Sequence, residues 1–336
     1  MFKFLKSLIL IIVILALAGF VFYTYQITAS VSRDTENVDF IIQPGEGVNQ
    51  ISRNLSDQGL IRSSFYFEVY AWQKNLEHRF KSGVHQLSPS MNIKDIVAKL
   101  TTPGGSETNI TIIEGWSNKE IADYLEQKEL GTADDFLKLV GRNLGSFTAD
   151  YDFLADKPAS ADLEGYLFPD TYRIFKNADQ AEVVRKMLDN FDLKLTEQMR
   201  ADIKARGRSV FEVVTLASII EKEVRDPEDM KKVADIFYKR LEAGIALQSD
   251  ATVNYVTGNG RVQPTLADTK VDSPYNTYKY RGLPPSPIAN PGLNALKAAI
   301  YPEANPYYYF LTTPTGEVIY SKTYEEHLEN KTRYLD

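Results

Sequence analysis

FEVVTLASIIEKEVR, from Phe211 to Arg225, is the stretch whose reading decides how the rest of the chain is understood. The eight residues from Val213 to Ile220 carry no charge, and only Thr215 and Ser218 have polar side chains. Glu221 closes the run. At about 100° per residue on a helix, Glu221 shares a face with Val214, Ala217 and Val224, while Glu212 and Glu223 fall on the far side. Two of the three acids can therefore face water while Glu221 points where the apolar residues point. A carboxyl group among apolar neighbours has its charged form disfavoured and its pKa raised. It can then stay protonated near neutral pH and act as a general acid. The competing reading is an ordinary helical ion pair, because Arg225 lies four residues further on. On this stretch alone the ion pair is the commoner arrangement, so the rest of the chain has to decide.

Composition narrows the chemistry. A length of 336 residues favours two or three folded units over one. No cysteine is present, which excludes disulfides, zinc-thiolate sites and cysteine nucleophiles. The histidines, His78, His85 and His327, are too dispersed for a helical metal pair, and no GxSxG turn exists to build a serine triad on them. A net charge of −7 argues against nucleic acid as a partner. No cofactor is expected.

Lys3 and Lys6 precede an uncharged apolar run from Ser7 to Tyr25, long enough to span a bilayer. The first charges beyond it are Arg33, Asp34 and Glu36. The positive-inside rule therefore puts residues 1–6 in the cytoplasm as a tail, 7–27 in the membrane and the remainder outside. Ala16-Leu17-Ala18 looks like a signal-peptide cleavage site. The apolar run continues past it to Tyr23, so an uncleaved anchor is expected.

After a polar linker over 31–37, one pattern occurs three times. A strand at Val38–Ile42 leads to a turn at Gly45, with Ile51 and Leu55 six and ten residues beyond that glycine. Val84–Leu87 leads to Ser90, Ile96 and Leu100 at the same offsets, and Asn109–Ile113 to Gly115, Ile121 and Leu125. Strand, turn and amphipathic helix are the texture of small mixed α/β modules. A further helix over 64–80 offers Phe65, Tyr66 and Trp72 as aromatic anchors. Phe40 to Leu100 resembles a LysM-type glycan-binding module, with a plain spacer as the equal alternative.

Thr102-Pro-Gly-Gly-Ser106 marks a boundary. Beyond it, helices are expected at 118–128 and 133–141. The segment LEGYLFPDTY, Leu163 to Tyr172, places Glu164 beside Tyr166, Phe168 and Tyr172, either as a carbohydrate-stacking cleft wall or as a buried aromatic corner. Amphipathic helices fill 180–206, and another spans Pro227 to Ala243, stopped by Gly244. Ser249 or Asp250 can cap a short helix in LQSDATVNY. The four prolines of Gly282 to Gly292 exclude regular helix or central strand there. A helix over 294–300 and a hairpin around Pro314–Gly316 complete the chain.

EGYLFPDTY, LASIIEKEV, LQSDATVNY, SPYNTY and GLPPSPIANPG, in this order, resemble the MltG (YceG-like) endolytic murein transglycosylases from about residue 38 onward. The resemblance implies an α+β architecture: an N-terminal transmembrane helix, a small LysM-like α/β subdomain over 38–105, and a mixed α+β catalytic domain over 106–336 with a mostly helical core. It implies Glu221 as the catalytic acid, cutting the β-1,4 bond between N-acetylmuramic acid and N-acetylglucosamine with formation of a 1,6-anhydro end. Glu164, Gln248, Ser249, Asp250, Tyr275, Asn276, Tyr278 and Asn290 then become candidates for holding sugar or orienting Glu221. The implied partners are peptidoglycan strands, the lipid bilayer of the bacterial plasma membrane and peptidoglycan synthases. Two other readings stand beside it: a muramidase that uses water and a second acid, Glu164 or Asp250, and a noncatalytic wall-binding scaffold. Three departures from the family pattern are visible. Ala251 stands where proline is common, Ser286 where glycine is common, and Val318-Ile319 where a histidine is usual, although His327 is kept in YEEH.

Overall fold

The computed structural model describes residues 2–102, 107–141, 145–176, 178–258 and 264–335. The boundary expected at 103–106 lies outside them. The chain divides into two compact units, Met1–Thr108 with Arg173–Asn177, and Asn109–Tyr172 with Ala178–Asp336. Helices and two-stranded sheets make a mixed α+β chain, in keeping with the expected class.

The first unit opens with α1 (Phe2–Thr28). Among the described residues no helix is long and apolar enough to cross a membrane. The side chains of residues 2–9 and 12, part of the expected anchor, lie outside that description. Then follow β1 (Val38–Ile42), α2 (Val48–Asp57), α3 (Ser64–Gln73), β2 (Gly83–Leu87) and α4 (Ile93–Leu100). β1 and β2 pair antiparallel, Val38 opposite Leu87 and Ile42 opposite Gly83. Alternation along the strands turns Phe40, Ile42, His85 and Leu87 inward. Of the three aromatic anchors expected on α3, Tyr66 packs against the core, partly buried, but Phe65 and Trp72 are 62% and 67% exposed, and Phe67 and Ala71 are buried instead. The helix turns the face three or four residues apart, 67 and 71, to the core.

The second unit comprises β3 (Glu107–Thr111, beginning within the first unit), α5 (Asn118–Gln127), α6 (Ala133–Leu139), α7 (Gly145–Thr148), the start of β4 (Thr171–Phe175, paired with β3, its residues from Arg173 counted with the first unit), α8 (Gln180–Lys194), α9 (Glu197–Ala205), α10 (Val210–Glu223), α11 (Pro227–Glu242), α12 (Asp250–Thr257), α13 (Leu293–Ile300), β5 (Tyr309–Thr312), β6 (Val318–Ser321) and α14 (Tyr324–Tyr334). The threefold strand–turn–helix pattern is present as β1–α2, β2–α4 and β3–α5. Its six marker residues, Ile51, Leu55, Ile96, Leu100, Ile121 and Leu125, are all fully buried.

α10 is the axis of this unit. Ser209 caps it, accepting from the Glu212 N–H at 3.1 Å, while the Glu212 carboxylate accepts from the Ser209 N–H at 2.8 Å. Every residue from Val213 to Ile220 is buried, because α13, α11, α12 and α9 surround the helix. A helix apolar all round belongs in a core, so the helical-face argument does not single out Glu221 here. The helix ends at Glu223 because Asp226 and Pro227 begin α11 as cap and first-turn proline, and Val224 is already extended (φ −142°, ψ 152°).

Truncating a marker residue leaves a cavity. Ile121→Ala is expected to cost about 2–5 kcal/mol, read from urea unfolding. A loss below about 1 kcal/mol would mean that the site collapses freely.

Candidate active site

Three separate segments meet at the C-terminal end of α10. Gly115 and Trp116 run alongside Asn290, with Gly115 N–H to Asn290 O at 2.9 Å and Asn290 N–H to Trp116 O at 2.8 Å. The Asn290 side chain continues the connection. Its Oδ1 accepts from the Gly165 and Leu167 N–H groups, both at 2.9 Å. Its Nδ2 donates to Trp116 O at 3.0 Å, and to Asn118 Oδ1 and Glu164 Oε1 at 3.2 Å. Gly165 allows this approach: its φ is +92°, and an added Cβ would lie 2.6 Å from Pro287 and 2.8 Å from Val214.

Glu221 lies half-buried at this junction. Its Oε2 accepts the Gly292 N–H at 2.9 Å, at the start of α13. Burial raises its pKa and the Glu114 carboxylate adds to the rise, while the Gly292 hydrogen bond and Lys222 oppose it. Glu114 is held close: a Cβ on Gly292 would sit 2.0 Å from its Oε1. The Glu221–Arg225 ion pair is absent among the described residues. Arg225 is exposed beyond the end of α10, so the helical spacing that would join it to Glu221 does not exist. The neighbouring cation is Lys222, whose Nζ donates to Gly115 O at 3.1 Å.

Glu223 is a second correction. It is partly buried at the cleft wall: Ser249 Oγ donates to its Oε1, and burial pushes its carboxyl up to about 7. The Ala251 N–H also donates to Glu223. A proline at 251, common in the resembling family, has no N–H to offer, so this departure gives the acid an extra donor.

Glu221 opens on a cleft of about 2220 Å³ whose lining includes Glu164, Gln248, Ser249, Asp250 and Tyr278. Tyr278 OH donates to Asp250 Oδ1 at 2.6 Å. Gln248, at φ +52°, accepts from Arg240 Nη2 at 2.7 Å. Glu164 is 3% exposed and accepts from the Asn118 N–H at 2.9 Å and from Tyr255 OH at 3.4 Å; burial raises its pKa well above the usual range. Asn276 is buried behind the wall, its Nδ2 donating to Thr269 O and Val271 O at 2.9 Å. Tyr275 OH and Ser286 Oγ are 2.6 Å apart, a contact that glycine at 286 would not offer. Tyr166, Phe168 and Tyr172 are buried core rings, so the aromatic corner, not the stacking wall, is what LEGYLFPDTY builds. Glu114, Lys222 and the cleft-lining Tyr309, Tyr324 and His327 were not among the expected site residues. For Glu114 the signal available was an acid directly before the turn glycine of the third repeat.

The model of the YceG-like family matches residues 40–333. The chain belongs to the YceG-like family. An endolytic murein transglycosylase of Bacillus subtilis (strain 168) is 32% identical over 334 residues, covering 96% of this chain and 91% of that protein. Another, from Streptococcus pneumoniae serotype 2 (strain D39 / NCTC 7466), is 31% identical over 361 residues, covering 99% of this chain and 65% of that protein. The 2.6 Å crystal structure of a YceG-like protein from Listeria monocytogenes is 35% identical, with a TM-score of 0.61, and covers 89% of this chain and all of that one. These relatives carry the family name that the five motifs pointed to.

Asn290→Ala removes several buried hydrogen bonds, one of them to Glu164, and is expected to cost about 3 kcal/mol in thermal or urea unfolding. A variant as stable as the wild type would show that the junction does not depend on this amide. The raised pKa of Glu223 means that the folded protein holds its proton more tightly than the unfolded chain. The stability this supplies is present below about pH 4.5 and is lost as pH rises through about 7. Glu223→Gln should therefore flatten part of the fall in melting temperature between pH 5 and 7.5. Parallel curves for the two proteins would remove Glu223 from that titration.

Proposed function

We propose that this YceG-like protein is an endolytic lytic transglycosylase of peptidoglycan, with Glu221 serving as acid and then as base. The observation that carries this is the Glu221 carboxyl: half-buried, raised in pKa and opening on a long cleft. The shared name of the curated relatives, endolytic murein transglycosylase, supports the same class. In the first step protonated Glu221 gives its proton to the glycosidic oxygen as the bond from C1 of N-acetylmuramic acid breaks. In the second, the Glu221 carboxylate takes the proton of the C6 hydroxyl as that oxygen closes on C1. One C–O bond breaks, one forms, and no water is consumed. The product carries a 1,6-anhydro end, and one enzyme carboxyl suffices because the nucleophile belongs to the sugar.

Glu164 is poorly suited to the hydrolytic alternative. Its buried carboxyl is already engaged by Asn118, Asn290 and Tyr255, and burial favours its protonated form, which cannot activate water. Asp250 accepts from Tyr278 and is also raised by burial.

The reading places the chain at the bacterial plasma membrane, single-pass, with its N-terminus in the cytoplasm and the enzyme outside, cutting strands as synthases extend them. Its support is α1, whose described face exposes Leu10, Ile11, Ile14, Leu17, Phe20 and Val21, and the lysines before it. The first unit would steady the strand as a LysM-like module.

Glu221→Gln is expected to lower release of anhydromuropeptides from purified peptidoglycan by at least about 10³-fold, with an unchanged melting profile. Mass spectrometry of the wild-type digest should show anhydro ends. Products heavier by one water would overturn the transglycosylase reading, and full activity in Glu221→Gln would remove the residue from the chemistry. Intact chain should sediment with membranes, and residues 31–336 alone should not.

A further inference from the structure

LEGYLFPDTY does not supply rings to the cleft. With Tyr166, Phe168 and Tyr172 sealed in the core, the rings that line the cleft include Tyr255 and Tyr278 and a cluster on the last segments of the chain, the β5–β6 hairpin and α14. Tyr309 on β5 lies 5.8 Å from Tyr324 and 5.5 Å from His327, measured between ring centroids. His327 is inclined by 27° to Tyr309 and by 30° to Tyr324, and the two tyrosines by 50° to each other, so the three rings form a fan. All three line the same cleft as Glu221, and Tyr324 is 53% exposed.

The fan is braced from behind. The Arg240 guanidinium sits 5.4 Å from the Tyr309 centroid. Its Nη2 donates to Ala246 O at 2.6 Å and to Gln248 Oε1 at 2.7 Å, and its Nε to Ala246 O at 3.0 Å. Burial, with Arg240 and Lys331 nearby, lowers the His327 pKa and keeps the imidazole neutral. A neutral, braced, partly exposed ring surface inside a cleft that also carries carboxyl, amide and hydroxyl groups suits one chemistry well. The C–H face of a pyranose packs flat on aromatic rings while its hydroxyls and N-acetyl group reach the polar walls.

We infer that Tyr309, Tyr324 and His327 form a sugar-binding subsite that seats one N-acetylated pyranose of the glycan strand, away from the bond being cleaved. It rests on the glycan-cleaving reading, and assigns that reading a place where an uncleaved part of the strand is held. A subsite of this kind favours cutting within a strand, because its occupation requires sugars beyond the scissile pair. Gln248 is then a positioning residue that acts through Arg240.

The test uses the full chain and uncrosslinked, solubilised glycan strands. Tyr324→Ala should raise KM about tenfold with kcat within about twofold, and Tyr324→Phe should restore KM. His327→Asn should move KM in the same direction. In a Glu221→Gln background, Tyr324→Ala should weaken binding of the same strands by a similar factor. Unchanged KM and binding in both Tyr324→Ala and His327→Asn would overturn the subsite, as would a fall in kcat at constant KM. Failure of the reaction reading is separately visible, because a wild type that releases no anhydro ends can still show the KM and binding differences.

Discussion

The side chain of Asn290 ties together segments more than 100 residues apart in sequence. It accepts from Gly165 and Leu167 and donates to Trp116, Asn118 and Glu164, with its backbone paired to Gly115 and Trp116. An amide has one acceptor and two donor hydrogens, and here both ends are engaged in a site closed to water. The proline loop that carries Asn290 cannot form a ladder of its own, so this amide supplies the register a strand would otherwise provide. What it fixes is the position of Gly292, and through Gly292 the hydrogen bond on Glu221.

The other constraint is where α10 stops. Glu221 and Glu223 occupy its last turn, where unpaired carbonyls make the end of a helix unfavourable for negative charge. Burial acts in the same direction on both. Two residues apart on a helix, the carboxyls leave on opposite sides, so one meets Gly292 and the other meets Ser249. The same helix end thus sets two acids with raised pKa values against different walls of one cleft.

The repeated strand–turn–helix units were legible in the sequence because their signal is local: a turn residue and two apolar positions at fixed offsets, each buried as read. Those units agree with the mixed α+β class that the resemblance implied. The helical face did not single out Glu221, since α10 is buried on every side. The misread residues share a physical cause. Glu223 appeared solvent-facing because a helical wheel says nothing of what packs on the far side, which here is the start of α12. Arg225 appeared paired because the wheel continues past a helix end that Asp226-Pro227 imposes. Phe65 and Trp72 appeared to be anchors because size was taken for burial, while helical phase gave that place to Phe67 and Ala71. The rings of LEGYLFPDTY and those of the C-terminal hairpin could not be told apart by composition. Only tertiary packing separates a core ring from a cleft ring.

The proposed acid-then-base role suits a carboxyl for which neither form is strongly preferred. The surroundings of Glu221 balance in that sense. Burial, the Glu114 carboxylate and the helix end favour the protonated form; the Gly292 N–H and the Lys222 ammonium favour the charged one. Glu164, with stronger burial and no facing cation among its causes, lies far to the protonated side and makes a good hydrogen-bonding strut. The difference between the two acids is therefore not their chemistry but the company each keeps. Lys222 is the neighbour that separates them: tethered to Gly115 O, it stays close enough to pull on Glu221 without closing into a salt bridge that would hold the carboxylate permanently charged.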